Sequence, residues 1–257
     1  MSSLNLASLS SSEKRELLKL LNERERRKQR RKFFEMYPPD GPLRRDLYPR
    51  HMEFFAAGAT EWERGMIAAN RVGKTWGVGA YEATCHLTGH YPGWWQGKRF
   101  DDPIDSWVAG DTTQTTRDVI QFALTGVGGD GAAGDLGTGM IPGDLIVGTP
   151  TAARGLAGAF DTMRVKHVSG GVSKVGFKSY DQGRKKFQGT YKHLIWLDEE
   201  PPLEVYTECL TRLMTVGGHM LATFTPLEGA TDVVRKFLGY LDGQEKNGSE
   251  VLASSSA

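Results

Sequence analysis

Cysteine is scarce in this sequence. Cys85 and Cys209 are the two among 257 residues, far apart and in no C-x-x-C pair, which excludes a disulfide framework and a cysteine-built zinc site. Both are expected as buried thiols. Long apolar runs are missing too: nothing approaches the ~18 residues that cross a bilayer, and MSSLNLASLSSSEKRELL lacks the continuous apolar core of a signal peptide, so no membrane role is expected. No charge sign dominates either. With 32 Lys and Arg against 31 Asp and Glu the formal net charge is +1, so affinity for a polyanion has to come from local clustering. Internal repeats are absent, and the length suits one principal domain.

What is present begins with a Ser-rich stretch, residues 1–12. From Glu13 the leucines Leu17, Leu20 and Leu21 fall at helical spacing, with Ser10–Ser12 placed to cap. The pattern predicts a helix to about Met36. Between Glu13 and Lys32 ten Lys or Arg stand against four Glu, a face either solvated or set against DNA phosphates or an acidic partner. YPPDGP, Tyr37–Pro42, ends the helix, because proline forces extended backbone and Asp-Gly favours a turn. Residues 1–42 are therefore expected to form a basic helical appendage, 43–241 the main domain, and 242–257 a linker-like or disordered tail.

Strands and helices then alternate. Apolar strands are predicted at Met66–Ala69, Ser106–Ala109, Leu194–Leu197 and Met220–Phe224, with strand-like segments at Met163–Val168 and Val172–Phe177. Helices are predicted after Thr75, across Thr115–Leu124 and near Val205–Leu213. This order specifies an α/β domain with a mainly parallel sheet covered by helices. The glycine-rich Gly126–Gly139 has no Lys-Ser/Thr ending and is expected as a mobile surface loop.

Three stretches carry chemistry. GMIAANRVGKTWG, Gly65–Gly77, runs from strand through loop into helix and ends like a phosphate-binding loop, G-x-x-x-x-G-K-[ST]. In such a loop backbone N–H groups ring the β-phosphate, a lysine reaches the β/γ oxygens and a hydroxyl ligates Mg2+. Lys74 and Thr75 supply the last two, and Ala69, Asn70, Arg71, Val72, Gly73 and Trp76 complete the candidate nucleotide-binding set. Ala68 stands where the first glycine is usual, a methyl group that costs little if φ there is negative. HLIWLDEE, His193–Glu200, describes a buried central strand that delivers acids to its C-terminal edge, where ligands of open α/β sheets bind. Asp198 is the candidate second metal ligand, and Glu199 the candidate base for the attacking water, ahead of Glu200. Pro201-Pro202 keep these acids out of the following helix. LATFTP, Leu221–Pro226, is a short apolar strand ending in hydroxyls, either a γ-phosphate sensor or a plain exit to a turn.

Taken in order from about Tyr48 to about Gly229, YPRHMEFF, AANRVGKT, DTTQTTRD, GTGMIP, FKSYDQGRKKFQGT, IWLDEEPP and ATFTPLEG resemble the N-terminal ATPase domain of the large terminase subunit of tailed bacteriophages. The resemblance implies a P-loop NTPase of RecA/ASCE type that uses ATP and Mg2+ to move double-stranded DNA into a procapsid. It implies Arg71 as a charge-stabilising arginine within the loop, Arg184 or Arg212 as alternatives acting in trans from a neighbouring subunit, and Thr223 and Thr225 as a coupling motif. It also implies the adenine side for Pro49 with Phe54 or Phe55, where a core helix with paired aromatics is the other reading, and phosphate contact for Arg184-Lys185-Lys186, where a solvated turn is the simpler one. The implied partners are double-stranded DNA, the portal protein, the small terminase subunit and further copies of the chain in a ring. The implied location is the host cytoplasm, transiently at the portal vertex of the procapsid. Large terminases normally continue into a nuclease domain of RNase H type, and nuclease activity is not expected of this chain. Two other readings stay open: a helicase sharing the ATP site, and an inactive or regulatory terminase fragment that binds nucleotide or partners without packaging.

Overall fold

The computed structural model describes residues 10–29, 31–129, 135–239 and 249–253. Helix α1 (Ser11–Gln29) opens with the expected cap: the Glu13 N–H donates to Ser10 Oγ, while the Ser10 N–H and hydroxyl donate back to the Glu13 carboxylate. The side chains of residues 24–30, which hold much of the basic run, lie outside the described residues. The helix does not continue to Met36. A short α2 (Lys32–Glu35) follows a non-helical Arg31, set apart because Phe33 is buried with its ring against Tyr81. Tyr37 is buried in the same cluster, so Phe33 and Tyr37, within the expected appendage, pack into the main core.

Next come α3 (Pro49–Ala57), β1 (Glu63–Ile67), a π-helical stretch Lys74–Ala80 that continues as α4 (Tyr81–Thr88), and β2 (Asp105–Gly110). The helix after β2 has three parts: α5 (Thr113–Thr115), π-helical Thr116–Gln121, and α6 (Phe122–Thr125). Then follow β3 (Thr151–Ala152), β4 (Phe160–Lys166), β5 (Val172–Ser179), β6 (Leu194–Asp198), α7 (Leu203–Met214), β7 (His219–Phe224), α8 (Asp232–Phe237) and β8 (Ser249–Ala253). These strands form one sheet in the order β3-β4-β5-β2-β6-β7-β1-β8. Pairing is parallel from β5 through to β8 and antiparallel at β3, β4 and β5. Strand β8 lies within 242–257, so part of the expected linker-like tail is an edge strand in parallel register with β1. Its Val251 is of a residue type that strands favour.

Both faces of the central strands are apolar, as helix layers on each side require. Along β6, Leu194 and Trp196 enter the cluster that holds Val78, Tyr81 and Leu124, while Ile195 and Leu197 enter the one that holds Val205, Tyr206 and Phe237. A close fit is at Gly79, where a Cβ would lie 2.1 Å from the buried Trp196 ring. Cys85 and Cys209 are free and buried. The described ends of the Gly126–Gly139 segment are docked and not loose: Gly137 donates to Thr125, and the Met140 N–H to Ala123. A Cβ on Gly139 would meet backbone at 2.5 Å, so these glycines serve close packing.

Candidate functional site

Strand β7 lies between β1 and β6, and its register pairs Ile67 with Phe224 and Asp198 with Thr223. Three C-terminal strand tips therefore end abreast. The loop that leaves β1 first continues its ladder, with the Ala68 N–H donating to the Phe224 carbonyl. Among the described residues the non-glycine positions with positive φ are Tyr37, Arg71 and Glu199. Ala68 is not one of them, so the missing first glycine brings no backbone strain. Arg71 (φ 68°) and Gly73 (φ 88°) bracket Val72 in left-handed backbone, an alternation that turns successive N–H groups to one side. The Arg71 side chain is exposed.

Lys74 is buried and folded back on its own loop. Its ammonium donates to Ala68 O at 2.9 Å, Ala69 O at 2.8 Å and Thr225 Oγ1 at 2.8 Å, which uses all three of its hydrogens. Burial lowers its proton affinity, and the charges of Glu199 and Asp198 oppose that shift. Thr225 in turn lies 2.8 Å from Ala68 O and 2.9 Å from Asn70 Oδ1. Thr75 Oγ1 sits 3.1 and 3.0 Å from the two oxygens of Asp198. The Thr223 hydroxyl donates to Asp198 Oδ1 at 2.7 Å and accepts the Trp196 indole N–H at 2.7 Å. One carboxylate thus joins the loop, β6 and β7.

Asp198 is 3% exposed. Burial pushes its pKa up to about 6, against the hydrogen bonds from Thr223 and Thr75. Glu199, at the exposed tip, occupies left-handed backbone (φ 65°) and is held by its N–H to Thr223 O. Burial raises its pKa as well, with Lys74 pulling down and Asp111 pushing up. Glu200 is tied instead to the Thr231 hydroxyl, which leaves Glu199 the freer acid. A cavity of about 720 Å3 opens beside this edge, lined among others by Gly110, Asp111, Asp198, Glu199, Thr225 and Glu228. A hydroxyl and a buried carboxylate that, among the described residues, is paired to no cationic side chain fit Mg2+, which takes oxygen donors and few protein ligands.

Other predicted residues lie elsewhere. The Trp76 ring packs against Lys32, 4.5 Å from its centroid, and in a T-shaped contact against Phe122. Phe54 is fully buried beneath the Arg64 guanidinium, and Phe55 is 1% exposed among Tyr37, Tyr81 and Trp95. Neither presents a face to a base, which corrects the adenine-side expectation for Phe54; Pro49 is exposed at the start of α3. Arg184 and Arg212 converge on one partner, pairing with Glu208 at 2.8 and 3.0 Å. Tyr180 was not singled out by the sequence pattern. Its hydroxyl lies 3.0 and 3.1 Å from the carbonyls of Asp198 and Glu199 and so fixes the strand tip that carries both acids.

Residues 66–247 match the family described as terminase large subunit, T4likevirus-type, N-terminal. The chain is 37% identical over 250 residues to the large subunit of the terminase of Salmonella phage P22, across 91% of this chain and 48% of that protein. It therefore spans about half the length of that relative. Among solved structures it is similar to the large terminase ATPase domain of Thermus phage P74-26, with TM-score 0.50, 15% identity, 77% of this chain and 78% of that one. It is also similar to the large terminase of a second, thermophilic bacteriophage, with TM-score 0.52, 12% identity, 88% of this chain and 45% of that one. The latter protein has a structure in complex with ADP as well. At these identities the structural likeness is one of fold, the P-loop ASCE type with a mostly parallel sheet. The family match across the site and the identity to the P22 protein agree: this chain belongs to the terminase large subunit family, in its N-terminal part.

Proposed function

We propose that this chain binds ATP with Mg2+ at the β1, β7 and β6 edge, hydrolyses it, and serves as the motor that moves double-stranded DNA into a procapsid. The meeting of Thr75 and Thr223 on the Asp198 carboxylate carries this reading, because it joins phosphate loop, acid strand and sensor strand at one point. Mg2+ held by Thr75 and Asp198 would neutralise charge on the β- and γ-phosphate oxygens.

Lys74 exchanges its carbonyl partners for phosphate oxygens, and the loop N–H groups from Ala69 to Trp76 surround the phosphates. Arg71 stabilises charge on the γ-phosphate. Glu199 accepts the proton of the attacking water, a task helped by its raised proton affinity. Thr223 touches the metal-binding acid and Thr225 the loop lysine, so both report the departure of the γ-phosphate to β7. Because Arg184 and Arg212 share Glu208, one can swing to a neighbouring subunit while the other keeps that acid paired. DNA, the portal protein, the small terminase subunit, a ring of copies and action in the host cytoplasm at the portal vertex complete the proposal, supported by kinship with the terminases. The test is ATP turnover by the purified chain with and without duplex DNA. Lys74→Ala is expected to lower kcat/KM by about 100-fold or more; an inactive wild type, or unchanged turnover in the variant, overturns the reading.

A further inference from the structure

Beneath the phosphate loop lies a pair of side chains that precede the family-matched residues 66–247. Tyr37 is 1% and His51 5% exposed. Tyr37 Oη is 2.7 Å from His51 Nδ1 and 2.8 Å from Gly77 O, and His51 Nε2 is 3.1 Å from Val72 O. The polar chain thus runs from the tip of the loop, through both side chains, to the first turn of the helix behind Lys74. Two glycines make room for it. A Cβ on Gly77 would lie 2.8 Å from Tyr37 Oη and 3.0 Å from His51 Cε1, and one on Gly73 3.1 Å from His51 Cε1. Tyr37 itself holds left-handed backbone (φ 57°), which a bulky residue keeps only when its surroundings determine it. Here Tyr48, Phe55, Tyr81 and Trp94 enclose its ring, and Tyr48 also stacks on His51.

We propose that Tyr37 and His51 are positioning residues for nucleotide binding: they form a strut that sets the Val72–Gly73 peptide and thereby aims the loop N–H groups at the phosphates. A peptide unit is planar and trans, so a Val72 carbonyl drawn toward His51 turns the Gly73 N–H the opposite way. Left-handed residues on both sides of Val72 mark a peptide that can flip, and the imidazole holds it in one orientation. Tyr37 shares its one hydroxyl hydrogen between His51 Nδ1 and the Gly77 carbonyl, which leaves Nε2–H as the imidazole hydrogen that donates to Val72 O and ties the helix that carries Lys74 and Thr75 to the same frame. This proposal rests on the nucleotide-site reading.

The test compares wild type with Tyr37→Phe, His51→Asn, His51→Gln and Lys74→Ala for mant-ADP affinity in magnesium buffer, ATP turnover and unfolding midpoint. Asparagine keeps a partner for Tyr37 Oη but falls short of Val72, whereas the glutamine amide reaches about as far as Nε2. His51→Asn is expected to weaken Kd about tenfold, as for one lost buried hydrogen bond, with kcat at saturation reduced less. His51→Gln is expected to stay within about threefold of wild type, although both variants lower the midpoint alike. Equal affinities for these two variants, or losses that follow the midpoint and not the reach to Val72, overturn the strut. If His51→Asn does not fold, Tyr37→Phe decides, since it loses the hydroxyl alone: weakened affinity supports the strut and an unchanged Kd overturns it. A wild type that binds no mant-ADP, or a Lys74→Ala protein that binds it as wild type does, overturns the nucleotide site itself and the strut with it.

Discussion

Replacing Thr223 by valine removes one oxygen and almost no volume. That oxygen accepts the Trp196 indole N–H and donates to Asp198, each at 2.7 Å, among residues with almost no solvent exposure. Valine leaves the indole N–H with no acceptor, at about 1–3 kcal/mol. Asp198 also loses the strongest of the hydrogen bonds that hold its pKa down near 6, so its charged form becomes harder to keep. Together the two losses amount to roughly 2–4 kcal/mol of stability. Thr223→Ser keeps the oxygen and gives up one methyl, about 1 kcal/mol. Urea unfolding of both variants near neutral pH, with ATP turnover measured alongside, separates these outcomes. Valine is expected to cost both stability and turnover, and serine to keep most of each. A valine variant within about 0.5 kcal/mol of wild type, the range of an ordinary surface change, would refute the linkage through Asp198.

Gly79→Ala drives a methyl into the buried Trp196 ring; a loss of about 3 kcal/mol or more, seen as a large drop in thermal midpoint, is expected. Glu199→Gln is expected to slow ATP turnover by about 100-fold or more while mant-ADP affinity stays close to wild type, since the base acts on water and not on nucleotide binding. The pKa of His219 is pushed down to about 3 by burial, with Arg64 nearby adding to the shift, whereas in the unfolded chain it is near its ordinary value. Its neutral form therefore stabilises the fold fully above about pH 6.5, and that contribution shrinks as pH falls toward 3. About 2 kcal/mol should disappear between roughly pH 7.5 and 5. His219→Gln should remove this part of the slope in urea unfolding measured at both pH values; an unchanged slope counts against it.

Where a segment's partners lie close in sequence or repeat with a simple period, the reading held. Leu194–Leu197 is an unbroken apolar run and Met220–Phe224 is interrupted by Thr223 alone, and both are central strands. The opening of β1 was not legible, because Glu63 and Arg64 look like surface residues. Arg64 is buried with its guanidinium paired to Glu82 on α4 at 2.6 Å and bonded to Phe54 O, partners that no local pattern announces. The same holds at the site. Lys74, Thr75, Asp198 and Glu199 stand in recognisable words, whereas Tyr180, Tyr37 and His51 act through contacts to distant backbone carbonyls. Phe54 and Phe55 belong to a ring cluster assembled from α2, α3, α4 and the Trp94-Trp95 turn, so their burial follows from tertiary packing. The antiparallel β4–β5 hairpin sits at one side of the mainly parallel sheet, since a five-residue connection, residues 167–171, is too short for a parallel crossover.

The three contacts of Lys74 bear on how a turnover ends. A lysine with no other partner would cling to a departing phosphate, because release would strand its charge in a half-closed cleft. Here Ala68 O, Ala69 O and Thr225 Oγ1 form a parking place of uncharged acceptors. On the proposed function, the same set would raise a threshold at the start of the cycle, since a lone phosphate would have to outcompete it with few contacts of its own, whereas a triphosphate would bring many. Such a loop would favour long anions on arrival and let short ones go.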